Sequence, residues 1–193
     1  VTDLKAWCNI EFGSSNANPL YYAKKLYLNG SLVTNLTIPS GTTKIGDFAF
    51  YNCTGITSVT IPNSVKSIGS KAFYNCTGLT KVNISDLKAW CNIKFTEMYL
   101  DPTANPLYYA KNLYLNGKLV TNLTIPDSVT TIDDYAFYNC TSLTSVRLGN
   151  SITSISNMAF SYCRSLSGII VDEGNPNYCS ENGILYDKSK TTL

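Results

Sequence analysis

The pentapeptide Ala-Phe-Tyr-Asn-Cys occurs three times in this chain, at Ala49 to Cys53, Ala72 to Cys76 and Ala136 to Cys140. A degenerate fourth copy reads Ala159-Phe-Ser-Tyr-Cys163. Within each neighbouring pair the cysteines stand 23 residues apart, Cys53 to Cys76 and Cys140 to Cys163. Self-similarity at a period in the twenties is the mark of a stacked solenoid, in which one repeat cannot bury its apolar face alone. With 44% hydrophobic residues among 193, the chain has material for a substantial core.

A longer periodicity overlies the short one. Asp3-Leu-Lys-Ala-Trp-Cys-Asn-Ile10 returns as Asp86-Leu-Lys-Ala-Trp-Cys-Asn-Ile93, and Asn18-Pro-Leu-Tyr-Tyr-Ala23 returns as Asn105-Pro-Leu-Tyr-Tyr-Ala110. The first shift is 83 and the second 87, so the second copy carries a longer loop between Thr96 and Thr103, around Tyr99. The chain reads as two modules, 1–82 and 83–170, each one long unit and two short ones, with a variant end at 171–193. Near-identity of the modules predicts one continuous stack. Neither end carries a polar capping repeat, which predicts a fragment of a longer repeat protein.

The short repeat can be parsed physically. Ile56-Thr-Ser-Val59-Thr-Ile61 alternates apolar and polar residues, the period of a half-buried strand. Pro62 ends it, because proline cannot donate the next ladder bond, and Pro62-Asn63 and Pro126-Asp127 suit turns. Val65 and Ile68 return to the core. A residue from the helix-capping set follows in each copy, Asp47, Ser70, Asp134 and Asn157, which predicts that Ala-Phe opens one helical turn. Alanine and cysteine then share a side at i, i+4. The predicted core is Val59, Ile61, Val65, Ile68, Ala72, Phe73, Cys76, Leu79 and their equivalents.

In the long unit, Leu-Lys-Ala-Trp-Cys favours a short helix begun near Asp3 or Asp86, with Trp7 and Trp90 as core anchors. Asn29-Gly30 and Asn116-Gly117 stand between alternating apolar runs and accept the positive φ angles of a two-residue hairpin. Asn182-Gly183 offers a further hairpin before Ile184. The four repeat cysteines read as a buried thiol column, since free cysteine packs as a small hydrophobe. Rungs about 4.8 Å apart also lie within disulfide reach, so bridging stays open.

The frame Leu-x-x-Val-x-Ile-Pro-x-x-Val-x-x-Ile-x-x-x-Ala-Phe-x-x-Cys resembles the BspA-type leucine-rich repeat. Ile56 to Cys76 fits it with isoleucine first, and Leu123 to Cys140 is clear. Leu143 to Cys163 is looser, with Gly149 in place of proline. Gly174-Asn-Pro-Asn-Tyr178 through Tyr186 is similar to a variant repeat of that family. The resemblance implies an α/β, β-rich leucine-rich-repeat solenoid with a parallel sheet on its concave face and short helical turns and loops on the convex one. It also implies proteins of bacterial and protist cell surfaces, often in adhesion or host contact and generally not enzymes. The family has no fixed binding motif to carry over.

Chemistry is thin. There is no histidine, which removes the commonest general base and most zinc sites. Asp133-Asp134 and Asp172-Glu173 read as a cap and a solvated turn, and no phosphate-cradling glycine motif is present. No cofactor is called for. The net charge is +2, without the basic stripe a nucleic acid needs, and no apolar run approaches the ~18 residues of a membrane span.

Binding remains. The polar strand positions expected on the concave face are Asn35 and Thr37, Ser58 and Thr60, Lys81 and Asn83, Asn122 and Thr124, and Ser145 and Arg147, with Gly168 and Ile170 in the last row. Hydroxyls and amides suit a glycan or peptide through many modest hydrogen bonds, and Lys81 and Arg147 stand out as the charged positions. Tyrosines at 21–22, 108–109, 51, 74 and 138 offer a competing strip at the sheet edge. Of the Asn-x-Ser/Thr sequons, those at Asn52, Asn75 and Asn139 each precede a cysteine expected to be buried. The reading is a non-enzymatic, cell-surface or extracellular module that binds a protein or glycan partner. Its oligomeric state is left open. The alternatives are a structural spacer and, further off, a parallel β-helix enzyme acting on polysaccharide.

Overall fold

The computed structural model describes residues 1–96 and 101–191. The chain winds into a β-solenoid of about six turns, matching a leucine-rich-repeat fold. Strands Asn35–Thr37, Ser58–Ile61 and Lys81–Ile84 pair in parallel, as do Asn122–Ile125, Ser145–Leu148 and Gly168–Val171. A constant repeat length sets the register. Asn35 faces Ser58 and Ser58 faces Lys81, while Asn122 faces Ser145 and Ser145 faces Gly168. Period-two alternation then sends Leu36, Val59, Ile61, Val82, Leu123 and Val146 into the core.

Three of these strands run up to a proline, Pro39, Pro62 or Pro126, while Lys81–Ile84, Ser145–Leu148 and Gly168–Val171 end at Ser85, Gly149 and Asp172. Pro62 and Pro126 carbonyls accept from Val65 and Val129 amides, closing the expected turns. Beyond them a second, short parallel ladder joins Lys44–Ile45 to Ser67–Ile68 and Lys94–Phe95, and Thr131–Ile132 to Ser154–Ile155. The predicted core from Val59 to Leu79 is buried, whereas in the last repeat the equivalents Ile155, Phe160 and Leu166 are only half-buried.

The Ala-Phe segment departs from expectation. It forms two consecutive turns and no helix. In the first copy, Ala49, Tyr51 and Cys53 amides donate three residues back, to Gly46, Phe48 and Phe50 carbonyls. The alternate amides of Phe48, Phe50 and Asn52 donate to Ser70, Ala72 and Tyr74 on the next coil, at 3.0, 2.8 and 2.7 Å. Half of the donors are thus spent between coils, which an α-helix does not permit. Left-handed residues at Phe48 (φ 56°) and Asn52 (φ 61°), and again at Tyr135 and Asn139, allow the pattern. The Asp47 carboxylate accepts from Ser70 N at 2.8 Å, so it caps the neighbouring coil instead of a helix of its own.

The helices lie in the long units. Leu4–Cys8 and Leu87–Cys91 are N-capped as expected, with Asp3 Oδ1 accepting from Ala6 N and Asp86 Oδ1 from Ala89 N, both at 2.9 Å. Trp90 is buried and donates Nε1–H to Ala136 O at 2.8 Å. Trp7 is half-buried and donates to Ala49 O at 2.9 Å. Leu20–Ala23 and Leu107–Ala110 follow. The three Asn-Gly hairpins form, with φ near 50° at asparagine and near 80° at glycine.

The second of these hairpins divides the concave sheet. Leu113–Leu115 pairs in parallel with Lys81–Ile84, and Lys118–Leu119 folds back antiparallel at the edge. Asn122–Ile125 therefore begins a new sheet. The hydrophobic cluster nonetheless runs from Leu4 to Val171 across the break. Phenylalanine rings stack within each module, Phe50 on Phe73 at 5.3 Å and Phe137 on Phe160 at 5.2 Å. Between Phe73 and Phe137, no phenylalanine among the described residues continues this stack; Phe95 packs edge-on to Trp90 instead, at 5.7 Å. Phe73 N donates to Thr103 O, in the middle of the 3-10 turn Pro102–Ala104.

Candidate functional site

On the concave face the structure places the expected polar positions in register. One row reads Asn35, Ser58, Lys81, and its neighbour Thr37, Thr60, Asn83, Tyr114. On the second sheet the rows are Asn122, Ser145, Gly168 and Thr124, Arg147, Ile170. Asn35, Thr37, Asn122, Thr124 and Arg147 are exposed, while Ser58, Thr60, Lys81, Asn83 and Ser145 are half-buried. The rows that hold Lys81 and those that hold Arg147 belong to different sheets, so the two cations do not share a surface strip.

Much of this chemistry is already engaged. Ser58 and Ser145 hydroxyls donate to Asn35 and Asn122 Oδ1 at 2.7 and 2.6 Å, which fixes both exposed amides; Asn122 Nδ2 also reaches Thr121 Oγ1 at 3.5 Å. Lys81 Nζ lies 4.1 Å from the centre of the Tyr114 ring, a cation–π contact. Arg147 Nε pairs with Asp172 Oδ1 at 2.8 Å, which brings a carboxylate to the rim of the face. A hydroxyl ladder borders the strands. Thr57, Thr80 and Thr144 Oγ1 donate to Thr34, Thr57 and Thr121 carbonyls one coil back. Its sequence signal is the hydroxyl residue just before each strand, threonine at 34, 57, 80, 121 and 144 and Ser167 at the last, whose Oγ donates to Thr144 O.

The tyrosines occupy the turn face, not the sheet edge. They belong to or flank the Ala-Phe-Tyr-Asn-Cys turns, where coil spacing brings identical side chains within stacking range. Tyr51 stacks on Tyr74 at 4.9 Å with 9° between planes, and Tyr21 on Tyr51 at 5.8 Å. In the second module Tyr108 stacks on Tyr138 at 6.1 Å, and Tyr138 meets Tyr162 at 5.1 Å. Burial pushes the Tyr109 phenol up to about 12 and raises Tyr51 and Tyr138 as well. Each group borders a cleft, of about 460 Å³ in the first module and about 590 Å³ in the second.

An asparagine set, invisible to motif reading, braces this face. Asn18, Asn105 and Asn175 are buried, and their amides donate across coils to Phe48, Tyr135 and Gly149 carbonyls. In each, Oδ1 accepts from an amide two residues ahead, of Leu20, Leu107 and Asn177. The shared Asn-Pro dipeptide was the available clue. The sequon residues Asn52, Asn75 and Asn139 also spend their amide nitrogens, on Tyr21 O, Asn52 Oδ1 and Tyr108 O.

The cysteines are free, and all but half-buried Cys179 are buried. Burial pushes the thiols of Cys8 and Cys91 up to about 12, with nearby Asp3 and Asp133 adding to the effect. Cys53 reaches about 11 and Cys163 about 12 for the same first reason, and Cys76 is raised well above its ordinary value. These are packing groups, with little thiolate at neutral pH. Among the described residues no cluster of ligating side chains could hold a metal, and no helix is long and apolar enough to cross a membrane. The longer loop at Tyr99 lies outside the described residues.

A model of the BspA type Leucine rich repeat region matches residues 23–99 and 110–185, in six copies. No curated protein sequence matches the chain. Among solved structures, a leucine-rich repeat protein from Eubacterium ventriosum is 22% identical over 94% of this chain and 42% of its own, with a TM-score of 0.47. A leucine rich cell surface protein from Faecalibacterium prausnitzii is 27% identical over 82% of this chain and 52% of its own, with a TM-score of 0.42. The chain therefore spans about half or less of these proteins' length.

Proposed function

The chain belongs to the BspA-type leucine-rich-repeat family, and from that premise we propose that it is a recognition module. It works without catalysis, at a cell surface or outside the cell, and contacts a protein or glycan partner in adhesion or host contact. A solenoid of this class is typically a non-catalytic scaffold, and a scaffold's function lies in its exposed surface. The observation that carries the reading is the pair of in-register polar rows on each concave sheet. At Asn35 and Asn122, hydrogen bonds from neighbouring serines fix the side-chain oxygen. A preoriented amide donor loses less entropy on binding than a free one.

The partner contacts proposed are Asn35, Thr37, Ser58, Thr60, Lys81 and Asn83 on one sheet, and Asn122, Thr124, Ser145 and Arg147 on the other. The test is a screen of the purified chain on glycan and host-protein arrays. Hits are then remeasured with Asn35→Ala/Asn122→Ala and Lys81→Ala/Arg147→Ala. Reproducible binding weakened severalfold by either pair, with unchanged circular dichroism, supports recognition. Absence of any binder, or binding indifferent to both pairs, returns the chain to the role of a spacer.

A further inference from the structure

We propose that the two tyrosine clefts on the turn face are duplicate sites for an acidic sugar unit, separate from the concave face. The first cleft is lined by Tyr21, Tyr22, Lys24, Tyr51, Asn52 and Asn75. The second is lined by the counterparts of the first five, one module later, together with Tyr162 and Arg164. The same five groups thus recur in both clefts, and the two are neighbours: Asn75 N, on the wall of the first, donates to Tyr109 Oη, on the wall of the second, at 2.8 Å. Volumes of about 460 and 590 Å³ suit one or two hexose rings.

The lining selects the chemistry. The open ring differs between the two: in the first cleft it is Tyr22, 75% exposed, and in the second, where its counterpart Tyr109 is half-buried, it is Tyr162, 55% exposed, at the repeat position that Asn75 holds in the first. The partly positive C–H groups of a pyranose pack against the negative face of such a ring. Lys24 and Lys111 end the helices Leu20–Ala23 and Leu107–Ala110 in the left-handed conformation, which turns both out at the cleft wall. Both are exposed, and neither pairs with a carboxylate among the described residues. Arg164 adds a third cation, 5.9 Å from the Tyr162 ring centre. Neither lining contains an acidic residue. A sugar ring that carries a carboxylate and presents a C–H face is what this combination complements.

A peptide strand fits less well. Strand addition needs free backbone donors, and here Asn52 N and Asn139 N already donate to Tyr74 O and Ser161 O on the next coil. The clefts lie three coils apart, roughly 15 Å at ~4.8 Å per coil, so one oligosaccharide could engage both.

Trigalacturonate is the probe, with neutral galactotriose as its control, measured by titration calorimetry against the whole chain. Trigalacturonate is expected to bind and galactotriose to bind at least tenfold more weakly. Tyr22→Ala/Tyr162→Ala should raise the trigalacturonate dissociation constant roughly fivefold to tenfold, with Tyr22→Phe/Tyr162→Phe close to the parent. Lys24→Gln/Lys111→Gln should weaken it comparably, while Lys81→Ala/Arg147→Ala leaves it unchanged. Absence of trigalacturonate binding, equal binding of galactotriose, or indifference to the tyrosine pair overturns the proposal. Loss through the Lys81/Arg147 pair alone would also overturn it and assign the sugar to the concave face. All the substituted residues are exposed or half-exposed, and circular dichroism checks that each variant keeps the fold.

Discussion

Trp7 and Trp90 occupy the same motif, yet replacing each by phenylalanine should cost very different amounts. Trp90 is 1% exposed, and its Nε1–H is the donor to Ala136 O at 2.8 Å. Phenylalanine leaves that buried carbonyl without its partner, which costs about 1–3 kcal/mol. The lost ring volume, roughly 40 Å³ at about 24 cal/mol per Å³, adds about 1 kcal/mol. The sum is about 2–4 kcal/mol. At Trp7 the ring is half-solvated, and Ala49 O keeps a second donor, Asn18 Nδ2 at 3.0 Å. Removing Trp7 therefore forfeits one shared bond and little packing, about 1 kcal/mol. Urea unfolding followed by far-UV circular dichroism measures both. Each variant also retains one of the two tryptophans as a local fluorescence reporter. The midpoint of Trp90→Phe should fall by about 1–2 M, several times the fall for Trp7→Phe. If Trp7→Phe were as damaging as Trp90→Phe, the idea that a second donor protects the Ala49 carbonyl would be wrong.

Two further outcomes follow from burial and close approach. The raised thiols predict alkaline weakening. A thiol whose folded pKa lies above its unfolded value contributes stability that is whole below about 9 and lost as pH rises toward the folded values of about 11 to 12 at Cys8, Cys53, Cys91 and Cys163. Urea midpoints should be flat to about pH 8 and fall above 9, less steeply in Cys53→Ala/Cys163→Ala; a flat profile to pH 11 would contradict this. At Gly78 a Cβ would run into Thr54 O and lie 3.0 Å from Ile56 O on the coil below. Both obstacles are backbone, so Gly78→Ala should cost about 1–3 kcal/mol, whereas Gly13→Ala, which meets nothing, should be near neutral. Equal melting temperatures for the two alanine variants would refute the crowding argument.

What the sequence made legible was whatever depends on repetition. Once 23 residues were fixed as the step, register, core and the parallel pairing of Ser58 with Lys81 followed, because equivalent residues must meet. The hairpins were legible for a local reason, the positive φ that Asn-Gly tolerates. The Ala-Phe helix was misread because propensity and capping are properties of one segment. Here the deciding term is the neighbouring coil, whose Ser70, Ala72 and Tyr74 carbonyls capture alternate amides. The break in the concave sheet was hidden for a related reason. The Leu113–Leu119 hairpin was visible as a hairpin, but nothing local says that it takes the edge position beside Lys81–Ile84.

The candidate surfaces follow the same division. Sequence alternation put the right residues on the concave face but could not show that Lys81 lies against Tyr114 or that Arg147 meets Asp172. These are contacts between residues far apart in sequence, and they spend the two charges that looked most available. The tyrosines illustrate the reverse. Each is one ordinary turn residue, and only stacking of coils joins Tyr21, Tyr51 and Tyr74 into one column with Lys24 at its margin. In a solenoid, then, a position contributes to a surface through its coil-to-coil neighbours. A cation engaged by the next strand is a poor recognition group, while an unpaired lysine beside open aromatic faces is a good one. On that ground the turn face competes with the concave sheet as the proposed recognition surface.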